Sequence, residues 1–349
     1  MRLEILPVTG IGDVTPGADL AALVTDAAPW LADGDVLVVT SKVVSKAEGR
    51  LVDVPLNGPD REAARDEVLR AETARPVARR GHTRIVQTHH GFVLASAGID
   101  ASNVDRSRLV LLPKDPDSSA RGLRSALRER YGLDVAVVIT DTMGRPWRVG
   151  LTDLAIGAAG IDALTDFRGA VDAYGNELHI TQMAVVDELA SAAELVKGKT
   201  DQVPVAVVRG FRPLRADDGP GAAELVRRSA QDLFSLGTAE ARALGRHEAA
   251  TLANAGEFGD APVDARLVDR ALAAVGADFP RYGDGPALLV VAADGSPWAV
   301  AQAGALVHRL RAELAAYGLV TAWRPAEGAP LGILAIGTPP DAAAPGRPG

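Results

Sequence analysis

Cysteine is absent from the 349 residues of this chain, which excludes disulfide bonds, thiolate metal sites and a cysteine nucleophile. Also absent is any apolar run of the roughly 18–20 residues that a membrane-spanning helix needs. The N-terminus lacks the basic, apolar and small-residue regions of a signal peptide. We therefore expect a cytoplasmic protein with no membrane partner.

Basic residues are fewer than acidic ones. The chain has 37 Lys and Arg against 45 Asp and Glu, a net charge of -8, which argues against nucleic acid as a partner. Local lysines or bound metal ions could still reverse the field around a small anionic substrate. The hydrophobic fraction of 47% is typical of a globular protein, and the length favours two domains.

Two catalytic motifs are missing as well. No Gly-x-x-x-x-Gly-Lys-[Ser/Thr] loop occurs, so a nucleoside triphosphate, if bound, is not held by a P-loop. None of the six histidines has the spacing of metal ligands.

What is present is an alternation of strand and helix patterns over the first two thirds of the chain, which predicts an α/β (mixed α+β) fold. The predicted strands are 2–7, 35–40, 108–113, 134–140 and 203–210, with a hairpin at 83–98. The predicted helices are 16–31, 59–80 (broken near Pro76), 117–131, and the Ala-rich segment that ends at Gly198 after a strand near 177. The strand–helix–strand order over 108–140 favours largely parallel pairing.

The segment 212–222 is rich in turn-forming and charged residues and predicts a linker or loop. We expect one domain over 1–215, a connection over 216–240, a second domain over 241–338 and a disordered tail over 339–349. Beyond the linker the pattern predicts helices near 222–234, 238–253, 262–276 and 298–317, and strands at 286–293 and 331–337.

Polar clusters follow four predicted strands, the position at which α/β sheets usually bind ligands. In 10–14, "GIGDV", an ordinary turn is the favoured interpretation. In 40–50, Ser41, Lys42 and Lys46 suit phosphate oxygens, and a solvated helix start explains them equally well. In 96–104, an Asx turn accounts for Asp100 and Asn103 without a function.

The fourth cluster, "VVITDTMGRPWRVG" at 137–150, favours a function. Asp141 and Thr142 offer the hard oxygens that Mg²⁺ or Mn²⁺ prefers, and Arg145 and Arg148 could neutralise phosphate or carboxylate. The alternative is a capped helix start at Asp141 or Thr142.

Together these segments resemble one family, the coenzyme F420-0:L-glutamate ligases. The resemblance covers residues 1 to about 215 and is carried by these strings: "ILPVTGIGDVTPGADL", "DGDVLVVTSKVVSKAEGRLV", "GFVLASAGIDASNV", "VAVVITDTMGRPWRVG", "DAYGNELHITQMAVVDELASAAELVKGK" and "PVAVVRGF". It implies a two-lobed ligase domain.

The resemblance also implies an activity, which is addition of L-glutamate to F420-0 through γ-linked amides, driven by GTP by way of an acyl phosphate. It implies Mn²⁺ or Mg²⁺, a monovalent cation such as K⁺, and a homodimer. When the functional residues of the family are placed on the matching positions of this sequence, the expected GTP contacts are Ile11, Gly12, Asp13, Val14, Ser41, Lys46 and Asn103. The expected metal ligands are Asp100, Asp141 and Thr142. Asp100 and Asp141 are also the expected catalytic residues. Relatives often have Glu or Gln where this chain has Lys199, which puts a second protein-held metal in doubt.

The C-terminal third resembles the end of a nitroreductase-like flavin domain. It is about 100 residues shorter than the corresponding domain of the two-domain ligases that it resembles. The arginine-rich segment that would hold FMN phosphate is replaced by "LANAGEFGDAPV" at 252–263. We expect a shortened domain that holds no FMN and serves packing or dimer contacts. Two alternatives stay open, an FMN-dependent oxidoreductase of the F420 pathway and a non-catalytic partner that binds the F420 precursor.

Overall fold

The computed structural model describes residues 2–102, 104–212, 214–228, 231–250, 256–292, 294–326 and 329–339. The chain divides into two compact units, Met1–Ala239 and Glu240–Gly349. The segment 216–239, predicted as a connection, belongs to the first unit. No helix in the described ranges is both long and apolar enough to cross a membrane. The fold is mixed α/β, as predicted.

The first unit contains twelve of the named strands and five α-helices. The strands are β1 Glu4–Val8, β2 Val36–Thr40, β3 Leu51–Asp53, β4 Thr73–Arg80, β5 Thr83–Thr88, β6 Val93–Ala95, β7 Arg108–Val110, β8 Ala136–Gly144, β9 Leu151–Ala159, β10 Thr165–Asp166, β11 Gln182–Met183 and β12 Val205–Arg209. The helices are α1 Leu20–Ala27, α2 Ser41–Ala47, α3 Gly58–Ala71, α4 Pro116–Tyr131 and α5 Val185–Lys197, with 3₁₀ turns at Ser96–Gly98 and Ala222–Leu225.

A five-stranded sheet in the order β1-β12-β2-β8-β9 forms the centre of this unit. One face packs against α1, α2 and α4, and the other packs against α5, so the strands carry apolar side chains on both faces. The prediction of largely parallel pairing was wrong. In this sheet only β2 and β8 are parallel, because β7 pairs with β3 in a separate sheet.

A smaller layer of β4, β5 and β6 forms the predicted hairpin region, with a core built on Leu69, Val86 and Leu109. The prediction of a helix over 59–80, broken near Pro76, was wrong beyond residue 71. The helix α3 ends at Ala71, and Thr73–Arg80 forms strand β4, whose backbone pairs with β5. Proline cannot continue a helix, and the register of β4 shifts next to Pro76.

The second unit contains α7 Ala265–Val275, α8 Pro297–Ala316, β13 Leu288–Leu289, β14 Val320–Ala326 and β15 Ala329–Gly337; α6 Thr238–Ala250 begins just before it. The strands form an antiparallel sheet in the order β13-β15-β14, and the core contains Val268, Leu310 and Leu334. The predicted helix over 222–234 was wrong, because the described residues there form only the 3₁₀ turn. The predicted tail from 340 onward and the segment 251–255 lie outside the described residues.

Candidate active site

The site begins where the two parallel strands end together. In the register of β2 and β8, Thr40 lies beside Thr140, so the residues that follow them are neighbours. The next residue after β2 is Ser41, the first residue of α2, and the next after Thr140 is Asp141. The buried Ser41 Oγ donates a hydrogen bond to Asp141 Oδ1 at 3.1 Å.

Asp100 reaches the same region from the loop after β6. It accepts hydrogen bonds from the backbone N–H of Ser102 at 2.6 Å and from the Ser102 hydroxyl at 3.0 Å, so the Asx turn is present. Its carboxylate also pairs with Lys42 Nζ of α2 at 2.5 Å. Just before it, Ser96 and Ala97 have φ of 51° and 55°, a strained conformation of the kind that clusters at functional sites.

The two carboxylates differ in their electrostatic surroundings. The pKa of Asp141 is raised to about 6, mainly by burial. The hydrogen bonds from Ser41 and from the Thr142 N–H lower this pKa, and the negative charges of Asp153 and Asp100 raise it further. For Asp100, burial is the largest single influence and raises the pKa, but the hydrogen bonds and charge of Lys42, together with Ser102, lower it overall. Asp100 is thus neutralised by Lys42, whereas Asp141 forms no ion pair with any lysine or arginine in the described part of the chain.

A cleft of about 390 Å³ opens beside these residues. Its lining comprises Ile11, Gly12, Asp13, Val14, Thr40, Lys42, Val43, Lys46, Glu194, Lys197, Gly198, Lys199, Gln202, Val203 and Pro204. Lys46 Nζ lies 2.7 Å from Asp13 Oδ1 at the exposed rim, and this contact lowers the pKa of Asp13. Gly12 has open space where a side chain would stand, so the backbone there is accessible to a ligand.

The structure therefore brings five of the residues predicted to contact GTP, Ile11, Gly12, Asp13, Val14 and Lys46, to one cleft, and places Ser41 against Asp141. Asn103 lies outside the described residues. Arg145 and Arg148 follow the end of β8; Arg148 is exposed, and the buried Nε of Arg145 has no hydrogen-bond partner within the described part of the chain.

Thr142 lies apart from the two carboxylates. It is inside strand β8, so its side chain and that of Asp141 point to opposite faces of the sheet. The Thr142 hydroxyl donates to Asp153 Oδ1 at 2.7 Å and accepts a hydrogen bond from Lys199 Nζ. The helix start considered for Asp141 and Thr142 is not present, because β8 continues through both residues to Gly144.

The donor set suits a hard divalent cation that also binds a ligand. Among the described residues, no group of three or more His, Asp or Glu side chains could hold a metal ion unaided. Mg²⁺ and Mn²⁺ sites shared with a nucleotide need only one or two carboxylates, since phosphates and water supply the other ligands. Asp141, half-buried and near the carboxylates of Asp153 and Asp100, gains most from a cation at this position.

Three further residues of this region were missed from the sequence. Asp153 of β9, with Glu194 and Lys197 of α5, forms a polar cluster next to Thr140. Asp153 interrupts an apolar strand, and that was the one available signal. Lys197 resembles an ordinary basic residue in the last turn of a helix.

Comparison with known proteins identifies the family of the chain. A sequence model of the family described as F420-0:Gamma-glutamyl ligase matches residues 10–210. The coenzyme F420:L-glutamate ligase of Methanopyrus kandleri is 44% identical over 247 residues, 66% of this chain and 97% of the relative. The proteins of the same name from Methanothermobacter thermautotrophicus and Archaeoglobus fulgidus are each 40% identical, over 63% and 66% of this chain and 94% and 96% of the relatives. The chain is an enzyme, a ligase that belongs to the F420-0:Gamma-glutamyl ligase family.

Proposed function

We propose that the protein uses GTP to join L-glutamate to coenzyme F420-0 through γ-linked amide bonds, as a step of F420 biosynthesis. The names of the family and of its relatives support the glutamate and F420-0 substrates. The single structural observation that carries the proposal is the pair of carboxylates next to the cleft: Asp141 is held by Ser41, and Asp100 is paired with Lys42, which lines the cleft.

GTP fits the cleft by chemistry. Ile11, Gly12, Asp13 and Val14 line one part of the cleft, and Lys42 and Lys46 also line it. Lysine ammonium groups are common partners of phosphate oxygens. In this arrangement the lysines neutralise phosphate charge without a P-loop.

Asp100 and Asp141 would hold Mn²⁺ or Mg²⁺, whereas Thr142, the third ligand expected from the resemblance, faces Asp153 and Lys199 instead. When bound, the ion supplies charge neutralisation and orientation for the transferring phosphoryl group. Ser41 fixes the Asp141 carboxylate through its hydrogen bond, and Lys42 does the same for Asp100. The resemblance to the family also supports a monovalent cation such as K⁺.

The proposed reaction has two balanced steps. The terminal carboxylate of F420-0 forms a bond to the γ-phosphorus of GTP, the bond to the leaving oxygen breaks, and GDP departs, leaving an acyl phosphate. The amine of glutamate then attacks the acyl carbon, phosphate leaves, and the amine loses a proton. The lysines around the cleft hold the charge that accumulates on the phosphate oxygens.

The assembly is part of the same proposal. A homodimer is supported by exposed apolar side chains at and beside the β8–β9 turn, where Trp147 is 90% and Leu151 is 68% exposed. We further propose that the second unit contributes packing or dimer contacts and does not bind FMN.

The test is a reaction of the full chain with GTP, L-glutamate, F420-0 and Mn²⁺, followed by mass spectrometry of the coenzyme. The expected product is heavier by glutamyl units, with GDP released in step and little product when ATP replaces GTP. Asp141→Asn is expected to give neither product nor GDP. An unchanged coenzyme mass in the complete reaction would overturn the proposal.

A further inference from the structure

Lys197 is a buried cation next to the cleft. It is the last residue of α5 and is 1% exposed. Its Nζ donates to Thr140 Oγ1 at 3.0 Å and to Asp153 Oδ2 at 2.9 Å, and lies 3.5 Å from Glu194 Oε2. Because burying an isolated ammonium costs several kcal/mol, this set of oxygens is what makes the position tolerable. We call the oxygens of Thr140, Asp153 and Glu194 the oxygen cage.

The Lys197 ammonium also stabilises the negative charge of Asp153 in the oxygen cage. The Asp153 side chain is only 2% exposed, and burial, the largest single influence, raises its pKa. The charge and hydrogen bond of Lys197, with those of Thr142 and Thr140, outweigh burial and lower the pKa overall. The other oxygen of Asp153, Oδ1, accepts a hydrogen bond from the Thr142 hydroxyl.

The cage borders the space where substrate would bind. Glu194 and Lys197 both line the cleft, so an ion in solution could reach the cage if the ammonium were absent. Carboxylate and hydroxyl oxygens converging on one point are the ligands that a hard divalent cation prefers. The distances of 2.9–3.5 Å show that Lys197 Nζ takes that central point.

We propose that the Lys197 ammonium is a built-in cation of the ligase site, which fills the oxygen cage and excludes a second divalent cation. The site then has one exchangeable divalent cation, and the neighbouring carboxylate is neutralised at any metal concentration. The count of one rests on the proposed metal site at Asp141, whereas the filling of the cage by Lys197 does not.

The test measures Mn²⁺ bound per chain. The metal-free full chain near neutral pH is titrated with Mn²⁺ alone, and free Mn²⁺ is read from its EPR signal. We expect one ion in the wild type and two in Lys197→Met, whose side chain has a similar length and no charge. Lys114→Met, at an exposed lysine, is the matched control and is expected to bind as the wild type does.

The gain of one ion on replacing Lys197 is the decisive quantity. Equal counts in the wild type and Lys197→Met, or two ions in the wild type, would overturn the inference. No ion in the wild type and one in Lys197→Met would keep Lys197 as the filled cation and remove the proposed metal site at Asp141. If Lys197→Met does not fold, Lys197→Gln, which keeps hydrogen-bonding groups without the charge, takes its place with the same expected gain.

Discussion

Asp141 and Asp100 lie near each other and have opposite surroundings, and this difference defines what each can do. Lys42 neutralises Asp100 at 2.5 Å, whereas Asp141 has a hydroxyl partner and two negative neighbours. A carboxylate held in this way is unfavourable for the folded chain and favourable for binding a cation. Stability and ligand binding are therefore in conflict at this residue.

The first prediction follows from that conflict. Asp141→Asn should raise the free energy of unfolding in chelator near neutral pH by about 2–3 kcal/mol, because the folded-state pKa is about 6 and the ordinary value is 3.8. The folded wild type binds more protons than the unfolded chain between these values, so its stability falls as pH rises from about 4 to 6. The gain of the variant should consequently vanish near pH 4.

Urea unfolding at a series of pH values measures this effect. Asp26→Asn, an exposed aspartate in α1, is the control and should change the unfolding free energy little at any pH. A variant at Asp141 that is less stable than the wild type at neutral pH would show that the buried charge is compensated in the folded chain.

The second prediction at the residue scale concerns Lys46 and the binding of GTP. Its side chain is 12% exposed and faces the cleft, so a phosphate there would meet a partly desolvated ammonium. Loss of a hydrogen bond between charged groups costs about 1.5–3 kcal/mol, so Lys46→Met should raise KM for GTP roughly 10–100-fold. Steady-state kinetics with Lys114→Met as control tests it; an unchanged KM would place the phosphates elsewhere.

At the scale of elements, the proximity of Ser41, Asp100 and Asp141 could be expected from the sequence, because each follows a strand that the sequence predicts. The surroundings of Thr142 could not. The pattern "TDTMG" has no strand periodicity, and β8 extends through it because β9 returns alongside and pairs Thr142 with Asp153.

The contact between Asp153 and Lys197 joins residues 44 apart on a strand and a helix, so no local pattern could predict it. Strand β4 was missed for the same reason, since pairing with β5 outweighed its helix-like composition.

The packing of α4 on β9 gives an element-scale prediction. A Cβ on Gly157 would lie 2.3 Å from the carbonyl oxygen of Pro116, where α4 begins, so Gly157→Ala should lower the free energy of unfolding by about 1–3 kcal/mol. Gly122, inside α4, has no neighbour within 4 Å of such a Cβ, and Gly122→Ala should raise it by about 0.5–1 kcal/mol. Urea unfolding compares the two, and equal effects would contradict the close contact.

At the scale of the whole molecule, the proposed dimer can be tested at the β8–β9 turn. Val149 and Trp147 are almost fully exposed in the single chain, and Trp147 has φ of 62°. A double variant, Trp147→Ser with Val149→Ser, should shift the mass measured by light scattering from dimer to monomer. Leu195→Ser, at an exposed leucine of α5, is the control; a variant that stays dimeric would place the interface on another surface.

The two units have separate hydrophobic cores. Every member of the core around Leu310 and Leu334 lies in the second unit, and the cores on both faces of the central sheet lie in the first. The Methanopyrus kandleri ligase is matched over 97% of its length by only 66% of this chain, so relatives of that size lack a counterpart to the remaining third. Since the residues proposed to bind GTP and the divalent cation all lie in the first unit, residues 1–239 produced alone should fold and keep glutamate ligation within about tenfold of the full chain's kcat/KM, a loss of at most about 1.4 kcal/mol. Circular dichroism and the mass-spectrometric assay test this. A folded but inactive fragment would mean that the second unit contributes to the site, and that result would exclude a role limited to packing.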